Sequence, residues 1–112
     1  MRYYALGTLT IPNGTAPSNS VDLWLGRVGP SEVPERVVLY TEEGTFTNTI
    51  TVQWSDDDTN FVAHYDSTRG ANVTLPTATI LTVEPLQRYL RVNSGGNEGA
   101  AREILAFGLS ER

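Results

Sequence analysis

The stretch NTITVQWSDDDTNFVAHYD, residues 48–66, decides the fold that we predict for this chain. Ile50, Val52 and Trp54 fall on one side of an extended chain, and polar residues fall between them on the other side. This period of two is typical of a half-buried β-strand. An Asp-rich polar run follows, and the alternation resumes over residues 61–65. The stretch therefore predicts a β-hairpin that places Trp54 in the core.

Similar short runs recur on both sides of this hairpin. They are rich in β-branched and aromatic residues and are separated by Gly, Pro, Asn and Ser, which favour turns. The other predicted strands cover residues 3–11 with a bulge or bend near Gly7, 21–25, 36–42, 77–83, 86–93 and 100–109. About eight short strands without a convincing amphipathic helix predict an all-β fold, an antiparallel β-sandwich formed by residues 1–112 as a single domain. Residues 1–20 are a candidate N-terminal arm, and a plain edge strand fits them equally well.

Two of these predicted strands carry apolar residues on both faces. In residues 36–42, Val37 and Leu39 oppose Val38 and Tyr40, which is typical of a central strand of a sandwich. The last strand leaves two alternatives open, in which the core is faced either by Leu105, Phe107 and Leu109 or by Ile104 and Ala106.

Composition argues against several classes of function. A net charge of −5 leaves no surplus of cations for nucleic acid or for an anionic membrane. The absence of cysteine excludes disulfides, thiolate metal sites and a cysteine nucleophile. The start of the chain lacks the apolar core of a signal peptide, and no run approaches the roughly 20 apolar residues of a membrane helix. All the basic residues are arginines, which mildly favours protein interfaces, although biased genomic composition explains this better.

No motif indicates a catalytic, metal or cofactor site. Asp56, Asp58 and Asn60 have the spacing that opens a calcium loop, but Phe61 stands where such a loop needs glycine. We interpret the run as a turn in which aspartates accept local backbone hydrogen bonds. His64 is the sole histidine and has no matched nucleophile or ligand cluster, so we place it at the surface or at a sheet edge. The chain is therefore predicted not to be an enzyme.

Five aromatic or arginine residues outside the predicted core are candidate interface residues, because both types are enriched at protein interfaces. They are Tyr3, Tyr4, Trp24, Arg27 and Arg69.

Three segments resemble known families. Residues 51–61, TVQWSDDDTNF, resemble the V-x-x-S-x-D-G-x-x-W hairpin of discoidin-like sandwiches, with Asp58 where glycine is usual and Phe61 where tryptophan is usual. Residues 88–92, RYLRV, resemble the R-Y-V-R-V strand of that family, and residues 101–105, AREIL, fit its final strand. The same elements resemble small tailed-bacteriophage virion proteins of the head-decoration or cement type. The chain's size, acidic composition and lack of cysteine suit this second family better.

The resemblance implies a discoidin-like or jelly-roll-like sandwich that serves as a non-enzymatic virion component, assembled in the host cytoplasm. Such a protein would bind the major capsid protein on the outside of the shell, often as a homotrimer, with no cofactor and with no nucleic-acid or membrane partner. Two alternatives stay open at this point. One is a carbohydrate-binding module that stacks sugars on Trp24 and on tyrosines, and the other is a phage tail or baseplate subunit.

Overall fold

The structure is a computed structural model that describes residues 2–14, 17–23, 34–41, 46, 48–68, 70–75 and 80–110. The strands within these residues are β1 (Arg2–Ile11), β2 (Val21–Asp22), β3 (Arg36–Tyr40), β4 (Ile50–Ser55), β5 (Val62–Ala63), β6 (Tyr65–Asp66), β7 (Ala71–Asn72), β8 (Ile80–Val83), β9 (Tyr89–Ser94) and β10 (Arg102–Ser110). In this part of the chain, no helix has the length and apolarity needed to cross a membrane.

The strands pair as one long hairpin that is folded back on itself. β1 pairs with β10, β2 with β9, β3 with β8 and β4 with β5, in each case antiparallel. Wrapping this hairpin brings β3 beside β10 and β4 beside β9. The result is a front sheet with the order β1-β10-β3-β8 and a back sheet with the order β2-β9-β4-β5. The predicted antiparallel β-sandwich is confirmed, and its strand order is that of a jelly roll.

Alternate residues of the two sheets meet in one core. Trp54 of the back sheet is only 1% exposed, as its register with Ile50 and Val52 predicted. In β10 the structure selects the second of the two alternatives, since Ile104 and Ala106 face the core. The buried set that joins the two sheets includes Leu9, Ile11, Val37, Leu39, Val83, Ile104 and Ala106 of the front sheet and Val21, Ile50, Val52, Trp54, Leu90 and Val92 of the back sheet.

The first strand changes phase at a β-bulge. Its register against β10 shifts between Ala5 and Gly7, so the bend predicted near Gly7 is confirmed. Beyond the bulge, Leu9 and Ile11 point into the core. A side chain at Gly7 would come within 3.0 Å of the Val21 side chain, so the close approach of β1 to β2 favours glycine there.

The return arm of the predicted hairpin is shorter than the sequence indicated. β5 is only two residues long, and β6 pairs with β7 in a separate two-stranded sheet. The chain then returns to β4, where Val52 N donates to Val73 O at 3.2 Å and Leu75 N donates to Ile50 O at 2.9 Å. The edge of the back sheet therefore consists of β5 and residues 73–75, with the small β6–β7 hairpin inserted between them.

Candidate docking surface

The outer face of the front sheet is apolar. Strand pairing aligns its outward residues in rows, because every second residue of a strand points to the same side. One row is formed by Phe107, Val38 and Thr82, and the next by Leu105, Tyr40 and Ile80. We call the following set the apolar face: Tyr3, Val38, Tyr40, Ile80, Thr82, Leu105 and Phe107.

Large side chains of the apolar face are open to solvent. Tyr3 is 63% exposed and Ile80 is 59% exposed, although both lie within regular strands. A shallow depression of about 340 Å³ lies among Tyr3, Val38, Tyr40, Ile80, Thr82 and Phe107. Contiguous apolar surface of this kind marks interaction sites on soluble proteins, whereas isolated exposed apolar residues do not.

Charges occur only at the ends of this face, among the strand residues that the structure describes. Arg36 pairs with Leu109 at one end, and Glu103 lies two residues beyond Leu105 at the other. Both are exposed. Glu84, directly after β8, lies at the Arg36 end because Val83 pairs with Val37. The two middle rows contain no ionisable group except the tyrosine hydroxyl of Tyr40.

The outer face of the back sheet has the opposite chemistry. Arg91 on β9 donates from Nε to Gln53 Oε1 on β4 at 2.7 Å, and its guanidinium carbon lies 4.0 Å from the centroid of the Phe61 ring. Nearby, Arg88 donates to both oxygens of Asp22 at 2.9 and 2.7 Å. This hydrogen bonding raises the pKa of Arg88. The polar groups of this face are thus bonded to one another within the chain.

A second depression lies where β1 approaches β2. Its volume is about 290 Å³, and it is lined by Ala5, Leu6, Ser20, Val21, Asp22, Asp58 and Tyr89. The hydroxyl of Ser20 donates to the carboxylate of Asp58 across the depression. Carboxylate acceptors, a hydroxyl and an aromatic ring therefore share one small hollow.

Asp58 adopts a backbone conformation that favours glycine. Its φ is 62°, in the left-handed region that residues with a side chain rarely occupy. Asp58 therefore has a glycine-like backbone geometry at the position where the hairpin pattern that residues 51–61 resemble has glycine. Asp58 N donates a hydrogen bond to Ser55 Oγ at 3.0 Å.

The Asp-rich run is a hydrogen-bonded turn, as we interpreted it. The acceptor is Asp57, whose Oδ1 receives hydrogen bonds from the backbone N–H groups of Thr59 and Asn60, each at 2.9 Å. These bonds hold the pKa of the Asp57 carboxyl well below its usual range. Asp56 and Asp58 bond to other parts of the chain. Among the described residues, no three acidic or histidine side chains cluster to hold a metal ion.

His64 lies at the edge of the back sheet, between β5 and β6. Sequence reasoning missed its partner: Trp54 Nε1 donates to His64 Nδ1 at 3.0 Å. Burial lowers the pKa of His64 from its ordinary value of 6.5, which keeps Nδ1 available as an acceptor. The histidine therefore satisfies the indole N–H of the buried tryptophan.

Glu98 is a buried carboxylate that sequence reasoning did not single out. It is 3% exposed, and its oxygens accept hydrogen bonds from Asn48 N at 2.8 Å, Ser94 Oγ at 2.9 Å and Arg102 Nε at 3.2 Å. These bonds fix the position of the glycine-rich loop between β9 and β10. The Glu98 carboxylate therefore has a structural role.

Of the five predicted interface residues, the structure places only Tyr3 on the apolar face. The side chain of Tyr4, together with Trp24, Arg27 and Arg69, lies outside the described residues. The residues missed by sequence reasoning are those contributed by β3, β8 and β10. The available signal was the apolar pattern on both faces of β3 and β10, which we read as core alone.

Comparison with known proteins identifies no relative. No protein-family model matches the chain. No curated protein and no solved structure gives a significant match.

Proposed function

We propose that this chain is a non-enzymatic structural subunit of a tailed-bacteriophage virion, a decoration protein held on the outside of the capsid. The observation that carries the proposal is the apolar face, because a sandwich with one apolar outer sheet is suited to contact across a surface. Jelly rolls of this kind are common in viral shells, which adds support from fold alone. The hairpin and R-Y-x-R-V resemblance points to the same class.

The proposed mechanism is adhesion. Contact over the apolar face removes Tyr3, Ile80 and Leu105 from water, which is favourable in proportion to the apolar area covered. A copy that contacts two neighbouring capsid subunits at once would hold them together, since its first contact raises the effective concentration for the second. The major capsid protein is the proposed partner on the shell.

The test uses a phage whose genome encodes this chain. Shells are prepared from a mutant of that phage in which the gene has been deleted. Purified chain is added, and bound copies per capsid protein are counted by quantitative mass spectrometry. Saturable binding at a fixed ratio, with a higher temperature of shell disruption, is the expected result. Ile80→Glu should lower the bound fraction, whereas Gln53→Glu adds the same charge to the back sheet and should not. Absence of binding by the unsubstituted chain would refute the proposal.

Carbohydrate binding is the second candidate, favoured by the depression beside Tyr89. Sugar hydroxyls donate well to carboxylates such as Asp22 and Asp58, and an aromatic ring offers a surface for the apolar side of a sugar. A glycan array would decide this candidate. Binding that is lost in Tyr89→Ala and retained in Tyr65→Ala, an exposed tyrosine elsewhere, would support it over the structural role.

A further inference from the structure

The turn that follows β1 contains an asparagine–glycine pair. Pro12, Asn13 and Gly14 are all exposed, and Gly14 has a φ of 91°, a backbone conformation that favours glycine. A β-carbon added at Gly14 would meet no packed neighbour within 4 Å, so nothing crowds this residue from that side. The peptide bond between Asn13 and Gly14 is therefore accessible to solvent.

An asparagine side chain can react with the backbone nitrogen of the residue that follows it. Here Gly14 N would attack Cγ of Asn13 and form a C–N bond, while the side-chain nitrogen of Asn13 leaves as ammonia. Water then opens the resulting five-membered imide at one of its two carbonyl carbons. The product at position 13 is aspartate or isoaspartate, in which the main chain runs through the former side-chain carbon. Water is the sole co-reactant, so no oxidant or cofactor is needed.

One hydrogen bond opposes this reaction in the folded chain. Gly14 N donates to Asn97 Oδ1 at 2.9 Å, between residues that are 83 positions apart. Attack requires this nitrogen to lose its proton and to approach the Asn13 side chain, so the bond to Asn97 must break first. Asn97 is itself fixed by other contacts: its Oδ1 also accepts from Gly99 N at 3.0 Å, and its backbone oxygen accepts from Asn48 Nδ2 at 3.0 Å.

We propose that Asn13 is a site of spontaneous deamidation and that Asn97 slows the reaction by holding the N–H of Gly14. This inference does not rest on the proposed function, because the turn is not part of the apolar face. Each event adds a carboxylate, which makes the net charge of −5 more negative by one. Isoaspartate also lengthens the main chain by one carbon, which displaces Gly14 N from Asn97 and separates the turn from the loop between β9 and β10.

Two other exposed asparagines provide an internal comparison. Asn60 precedes Phe61 and Asn72 precedes Val73, and the side chains of Phe61 and Val73 hinder attack by their backbone nitrogens. The nitrogen of Val73 is in addition a donor to a backbone oxygen at 2.7 Å. Both asparagines should stay intact while Asn13 reacts.

The test follows the purified chain at pH 8 by ion-exchange chromatography, with peptide mass spectrometry to locate the modified residue. Asn97→Ala should speed the loss of Asn13 about fivefold, the factor that one net hydrogen bond contributes. Asn97→Asp keeps an oxygen acceptor at the same place and should react at close to the unsubstituted rate. Asn13→Gln should remove the signal. A peptide of residues 10–16 lacks Asn97 and should react faster than the folded chain.

Hydrogen exchange of the Gly14 amide in the unsubstituted chain checks the restraint without any substitution, and circular dichroism checks the fold of each variant. A protected amide, together with the rates described above, supports the inference. An unprotected amide, or equal rates in the folded chain, in Asn97→Ala and in the peptide, would overturn the role of Asn97. Reaction at Asn60 or Asn72 before Asn13, or an intact Asn13 in Asn97→Ala while the peptide reacts, would overturn the site.

Discussion

The two outer faces of the sandwich obey the same alternation and carry opposite chemistry. On the back sheet, Arg91 reaches across to Gln53 and stacks on Phe61, so the polar groups that face water are joined within the chain. On the front sheet, the equivalent outward positions carry Val38, Tyr40, Phe107 and their neighbours. An antiparallel sheet can fold with one face solvated, and the back sheet follows this rule. The front sheet does not follow this rule, which indicates that its apolar outer residues serve a purpose other than folding.

The largest expected effect is a difference in the free energy of unfolding between substitutions on the inner side and on the outer side of the front sheet. Leu39 is fully buried, whereas Ile80 on the neighbouring strand is 59% exposed. Leu39→Ala should lower the free energy of unfolding by about 2–5 kcal/mol, because it leaves a cavity in the shared core. Ile80→Thr keeps a β-branched side chain and should change it by less than about 0.5 kcal/mol. Urea denaturation at low protein concentration gives both values. Similar losses in the two variants would mean that the apolar face is part of the folding core.

The next effect concerns the loop that carries the chain from the back sheet to the front sheet. Glu98→Ala removes the buried acceptor of Asn48 N and Ser94 Oγ and leaves Arg102 without this carboxylate. We expect a loss of about 3 kcal/mol in the free energy of unfolding, since one partner of a buried, hydrogen-bonded pair is removed. Glu84→Ala removes an exposed carboxylate and is the matched control. If both variants unfold at the same urea concentration, the Glu98 contacts contribute nothing net.

A smaller effect is the dependence of the free energy of unfolding on pH, which arises from His64 in the back sheet. The pKa of His64 in the folded back sheet is lowered from 6.5 by burial, so the folded chain binds fewer protons than the unfolded chain. Its contribution to stability is therefore complete above about pH 6.5 and is lost as the pH falls through the lowered pKa. Protonation removes the acceptor of Trp54 Nε1, which limits the loss to about 1 kcal/mol.

Urea midpoints measured from pH 8 to pH 5 test this prediction. His64→Gln should flatten the profile in that range. The Asp57 carboxyl does not contribute there, because its depressed pKa places its titration below the ordinary value of 3.8. An unchanged slope in His64→Gln would assign the pH dependence to another group.

The smallest effect lies on the polar back face. Arg91→Ala should cost about 0.5–1 kcal/mol, since the side chain stacks on Phe61 at a half-buried site. A double-mutant cycle with Phe61→Leu isolates the coupling between the two side chains. Zero coupling would mean that the contact between Arg91 and Phe61 contributes nothing to the stability of this face. Shell binding should be unchanged in either variant, because Arg91 and Phe61 lie on the other side of the sandwich from the apolar face.

Most of the fold follows from the alternation of apolar residues. Ile50, Val52 and Trp54 were assigned to the core from spacing alone, and the bulge near Gly7 was indicated by a break in phase. The β6–β7 hairpin was missed because two-residue strands give no periodic signal. In β10, Leu105 and Ile104 are equally apolar, so only the pairing with β3 shows which of them faces inward.

The candidate surface could not be found from spacing, because an apolar outer face and an apolar inner face look alike in one strand. Val38 and Tyr40 became recognisable as outward residues only when β8 and β10 were placed on either side of them. Glu98 illustrates the converse problem. A lone glutamate in a glycine-rich loop is typical of a solvated segment, and its burial depends on Asn48, which lies 50 residues earlier in the chain.

The pairing of β1 with β10 also sets a delay during synthesis. Arg2 is opposite Ser110, so roughly 100 residues must be added after β1 emerges before its partner strand exists. At the usual elongation rates of 5–20 residues per second, this takes about 5–20 s. Throughout that interval the front sheet lacks one of its two central strands, and the inward residues of β1 stay open to other nascent chains. A cell that makes many copies from one message would therefore gain from a chaperone acting at the ribosome.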